Sequence, residues 1–80
     1  MATLTIEQIR QNATGVKPFR KHNGRFIMNP LPVRVNTRDV IFAGIFMDDI
    51  IKADAFDENT SEIKFQGMHT FVSVRYFSLI

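Results

Sequence analysis

The sequence predicts an α+β domain: a four- to five-stranded, mainly antiparallel sheet with an N-terminal helix and a short second helix packed on it. Three observations carry that expectation. Thr5-Ile6-Glu7-Gln8 stands before an apolar stripe of helical period, Asn23-Gly24 lies between two strand-like runs, and residues 62–79 alternate in polarity around a glycine. At 80 residues the chain makes one domain, 1–80, and 45% hydrophobic content with eight Phe is ample for a core.

Thr5 to Gln8 has the form of a capping box, with Leu4 and Ile9 at the staple positions. Ile6, Ile9 and Ala13 share a helical face, so a first helix is expected over about 6–13, with Gly15 ending it in a left-handed conformation. Asn23-Gly24 then predicts a two-residue type I′ hairpin, which needs positive φ at both central residues. That register sets His22 against Arg25 and Phe19 against Met28. Phe19, Phe26 and Met28 then face one way, and Arg20, His22 and Arg25 the other. Pro18 lacks the donor that a central strand needs, which puts this ribbon at a sheet edge. Pro30 and Pro32 are expected to break the chain before a short strand at 33–35.

A turn at 36–39 leads into the apolar run from Val40 to Met47. The run does not alternate, and periodicity alone does not separate strand from helix there. Its β-branched and aromatic residues and interior glycine favour a central strand. Asp48 would then cap the second helix, at about 49–55. Residues 62–66 and 70–79 form the closing hairpin around a three-residue loop, Gly67-Met68-His69. Alternation places Ile63 and Phe65 on one side of its first strand. On the long second strand it opposes Val72, Val74 and Tyr76 to Phe71, Ser73, Arg75 and Phe77.

Little in the sequence points to catalysis. His22 and His69 stand in no nucleophile-bearing elbow, and Gly15 and Gly24 make no phosphate-binding loop. Asp54, Asp57, Glu58 and Glu62 lack the glycine that a calcium loop requires, and the chain has no Cys for a zinc site or a disulfide. The expectation is a protein that is not an enzyme and carries no metal or cofactor. The opening residues carry no signal-peptide pattern and no apolar run is long enough for a bilayer, so a cytoplasmic protein without membrane contact is expected.

Charge is blocky. Seven Lys/Arg and no acid lie between Arg10 and Arg38, whereas seven acids and one base lie between Asp39 and Glu62. Such polarity can steer a charged partner. With two short helices, one sheet face is covered and the other is left open, which makes Phe71, Arg75 and Phe77 the expected protein-binding row, for a partner of unknown identity or for a symmetric homodimer. Arg20, Lys21, His22 and Arg25 around the Asn23-Gly24 tip form a second candidate, for nucleic acid or an acidic partner. The expected function is a non-enzymatic protein-binding accessory module, of the kind that phages and mobile elements use as inhibitors occluding a surface of a host machine. The alternatives are a small nucleic-acid-binding protein and a structural or assembly subunit, the latter suited by the apolar Leu79-Ile80.

Overall fold

A computed structural model of the chain describes residues 3–19, 21–39 and 44–80. These form the helix α1 (Ile6–Asn12) and the strands β1 (Lys17–Pro18), β2 (Arg25–Val35), β3 (Ile50–Asp57), β4 (Glu62–Phe65), β5 (Phe71–Ser73) and β6 (Phe77–Leu79), with a 3-10 turn at Val74–Tyr76. The fold is α+β, and its strand pairs are antiparallel. The sheet runs β1-β2-β3-β4-β5, and β6 returns to pair with β2.

That return forces the sheet to curl. Strands lie about 4.8 Å apart, so in a flat sheet β5 would sit roughly 14 Å from β2, with β6 farther still. A three-residue 3-10 turn advances only about 6 Å. Two irregularities ease the bend: the β2–β3 register shifts between Ile27 and Leu31, and the β3–β4 register shifts between Ala53 and Ala55. The enclosed core comprises Leu4, Ile9, Met28, Val33, Val35, Ala53, Phe56, Ile63, Phe65, Val74 and Phe77. Phe26 stacks on Phe56 at 5.2 Å, and Phe65 meets Phe77 edge-on at 5.3 Å.

The helix forms as its sequence demands. Gln8 N–H donates to Thr5 Oγ1, and Thr5 N–H donates to Gln8 Oε1, both at 3.1 Å. It ends at Asn12 with Ala13 extended, and Gly15, at φ 65°, follows two residues later. Pro18 stands on the edge strand β1, as the missing N–H requires.

Four expectations are corrected. The residues expected to make a second helix, 49–55, lie in β3, and the second helical element is only the 3-10 turn. Asp48 adopts φ 70° rather than the extended cap conformation, and β3 pairs on both sides. Tertiary pairing overrides the helix preference of Lys52-Ala53-Asp54-Ala55. The expected central strand at 40–47 begins with residues outside the described set, and residues 44–47 are turn and irregular backbone. Pro30 and Pro32 do not interrupt β2. Pro30 sits in its irregular stretch between Ile27 and Leu31, and Pro32 stands within the resumed register, opposite Lys52.

The fourth correction concerns register. Lys17 opposes Ile27 and Pro18 opposes Phe26, so the first hairpin does not close at a two-residue type I′ turn. Gly24 has φ 85°, whereas Asn23 does not enter the left-handed region. Phe19 therefore shares the outer face with Arg25, opposite Phe26 and Met28. In the last hairpin Lys64 opposes Phe71, so the connection is 66–70. The 3-10 turn then resets the alternation, and Phe77 points inward although Phe71 points outward.

Phe77→Ala should therefore cost about 3–5 kcal/mol in urea denaturation, a large share of the roughly 5–15 kcal/mol that holds an ordinary domain together. Phe71→Ala should cost only about 1–2 kcal/mol. Equal losses at the two positions would contradict the division of that strand.

Candidate functional site

Cross-strand register assembles the outer face of the sheet from residues far apart in the chain. One row runs Lys17, Ile27, Ala55, Lys64, Phe71 across β1 to β5. The adjacent row runs Arg25, Asp57, Glu62, Ser73. Phe19 joins its end, its N–H donating to the Arg25 carbonyl at 2.9 Å. Ala55 is fully buried despite facing outward, and its small side chain leaves room for longer neighbours to lie across it.

Arg25 is the centre of this face. Its guanidinium lies 4.3 Å from the centroid of the Phe71 ring, and its Nε donates to Asp57 Oδ2 at 3.0 Å. Asp57 is held in turn by its own turn: Oδ1 accepts from the N–H of Asn59 at 2.9 Å and of Thr60 at 3.3 Å. Burial raises the Asp57 pKa, but the Arg25 hydrogen bond, the two backbone donors and the Arg25 charge together outweigh it. The carboxyl is held below its ordinary value. Beside this pair, Pro18, Phe19, Lys21, His22 and Ile27 line an open depression of about 490 Å³. The Phe19 and His22 rings stand 6.1 Å apart, and Ile27 is 42% exposed.

The two residue sets expected from the sequence are thus redistributed. Arg25 and Phe71, one from each set, are in contact, and Lys21 and His22 line the depression next to them. Arg20 lies outside the described residues. Arg75 and Phe77 do not join the face: Phe77 is fully buried, and exposed Arg75 lies with Tyr76 beside a separate depression that Thr3, Asn36, Thr37, Asp39 and Met47 also line. The expected row Phe71, Arg75, Phe77 is therefore not one surface. Phe19, Ile27 and Asp57 were missed as site residues. Phe19 was hidden by the hairpin register, whereas Ile27 follows Arg25 by simple alternation along β2. Asp57-Glu58-Asn59-Thr60 did carry a signal, the Asp-led turn in which a side chain caps its own backbone.

The blocky charge folds partly upon itself. Arg10 pairs with Glu58 while lying over the Phe26 and Phe56 rings, Arg25 pairs with Asp57, and Lys64 Nζ lies 2.7 Å from Asp54 Oδ1. Among the described residues no group of three or more His, Asp or Glu is placed to hold a metal ion, and no helix is long and apolar enough to cross a membrane. A second exposed apolar group, Phe46, Met47, Ile50 and Ile80, lies away from the hairpin tip. Compared with protein-family models, curated proteins and solved structures, the chain matches none.

Asp57 predicts an acid limb of stability. With its folded pKa depressed, its contribution is complete above the unfolded value of about 3.9 and is lost as pH falls through the lower folded value. Asp57→Asn should lower stability at pH 7 by about 1.5–3 kcal/mol, the range for a hydrogen bond to a charged group. The decline of the urea midpoint between pH 5 and 2 should be shallower in the variant, and an unchanged decline would contradict the role given to Asp57.

Proposed function

We propose that this chain is a non-enzymatic protein-binding module whose contact surface is the outer sheet face formed by Phe19, Arg25, Ile27 and Phe71. The observation that carries the reading is the Arg25–Phe71 pair: a buried carboxylate bonds an arginine whose guanidinium lies over an aromatic ring on an open face. Arginine and aromatic side chains are the types that most often carry interface energy. Holding them in place before contact reduces the ordering cost of association. An accessory role, in which a small module occludes a surface of a larger machine, fits a face of this size without a walled pocket.

Nucleic acid is the weaker reading. Phe19 and His22 could stack on unpaired bases, but Arg10, Arg25 and Lys64 already hold carboxylates. A formal net charge of +2 leaves too little free cation to track a phosphate backbone.

The test is affinity capture from lysate of the source cells, comparing the native chain with Ile27→Glu and with Phe46→Glu on the other apolar group. Both positions are exposed, so both variants should keep their melting temperature within about 4 °C. A partner retained by the native chain and by Phe46→Glu, and lost with Ile27→Glu, is the expected result. Retention undiminished by Ile27→Glu, or abolished by nuclease, would overturn the proposal.

A further inference from the structure

Building on that protein-binding reading, we infer that the depression beside Ile27 receives an acidic segment of the partner, one apolar side chain seated on Phe19 and Ile27 and its carboxylates facing Lys17 and Lys21. The floor is apolar, made by Pro18, Phe19 and Ile27, and the rim carries Lys21 and His22 with no acid among the lining residues. Lys17 stands directly opposite Ile27 in the β1–β2 pair. Lys17 and Lys21 are exposed and enter no ion pair among the described residues, unlike Arg25 and Lys64 farther along the face. The free charge bordering the apolar floor is therefore of one sign. A basic segment would meet like charge, and a neutral one would leave both lysines unanswered.

The backbone decides how the segment docks. Phe19 N–H bonds inward to Arg25, so by strand alternation the nitrogen of Pro18 lies on the free edge of β1, where it has no hydrogen to donate. A partner strand cannot extend the sheet there in regular register. The segment therefore lies on the face and contributes side chains. The depression is open, which suits one anchoring Phe or Leu better than an enclosed small molecule.

The probe is a short synthetic peptide with a central Phe flanked by Glu and Asp, titrated into the ¹⁵N-labelled chain and followed by amide shifts and fluorescence polarisation. Saturable shifts confined to residues 17–27 are expected. Replacing the peptide acids by Gln and Asn, or making Lys17→Glu with Lys21→Glu, should each weaken binding about tenfold, equivalent to about 1.4 kcal/mol. Replacing the peptide Phe by Ala should weaken it comparably. Equal binding of the neutral peptide, shifts centred on Phe46 and Ile50, or tighter uptake of single-stranded oligothymidylate at residues 17–27 would each overturn the inference. If lysate capture depends on Ile27 but is indifferent to the two lysine reversals, protein binding at this face stands and its acidic occupant falls. If capture ignores Ile27, both fall.

Discussion

Everything in this fold depends on the 3-10 turn at Val74–Tyr76 returning the chain to β2. The helix has seven residues, about 10 Å of length, and covers only a small part of the sheet. The sheet must therefore cover its own apolar face, and it does so by curling until β6 lies along β2. The closure is fastened at several points. Ser73 Oγ caps the turn, the Phe77 carbonyl accepts from the Leu4 N–H at 2.8 Å and from Asn36 Nδ2 at 3.0 Å, and Asn36 N–H donates to the Tyr76 carbonyl. A short stretch thus joins the N-terminal segment, the end of β2 and the aromatic core.

Curling also decides what the outer face can be. Side chains that the interior needs, Phe56, Ile63 and Phe77 among them, are taken inward, and the outer rows keep Ile27, Arg25, Lys64 and Phe71. The β1–β2 tip is fixed from the neighbouring turn: Glu58 N–H donates to the Gly24 carbonyl at 2.8 Å, and Asn59 Nδ2 donates to the Asn23 carbonyl at 3.2 Å. Gly24 is needed twice over. Its φ of 85° disfavours any side chain, and a Cβ there would come within 2.2 Å of Asn59 Nδ2. The walls of the depression are consequently held by the same turn that positions Asp57, and contact residues on a braced scaffold lose less freedom on binding.

Features encoded within a few residues were legible in the sequence, and those decided by distant pairing were not. The capping box needs only Thr5 and Gln8, and the edge position of β1 follows from a nitrogen without hydrogen at Pro18. The core-facing alternation of Ile63 and Phe65 is likewise local. β3 was hidden because Lys52-Ala53-Asp54-Ala55 has helix-favouring composition, although both alanines are fully buried within the sheet. Asn23-Gly24 marked a turn but not its width, since only Gly24 takes positive φ, and that difference alone moves Phe19 from the inner face to the outer. For the site, Arg25 and Phe71 were each visible as candidates, but their contact spans four strands and no local pattern predicts it.

The same distinction governs the charge. Read along the chain, a basic half and an acidic middle look like a strong dipole able to steer a partner from afar. Folded, each of three acids from the middle takes a cation, two of the three from the basic half, and that part of the charge is neutralised at short distance. What remains for recognition is local: two unanswered lysines bordering an apolar floor, next to an arginine whose charge is already committed to Asp57. A surface of that kind discriminates by matching a few charges at close range. This favours a shaped protein segment over a polyanion, because a polyanion gains affinity chiefly from the number of free cations, and Arg25 and Lys64 on this face already hold carboxylates.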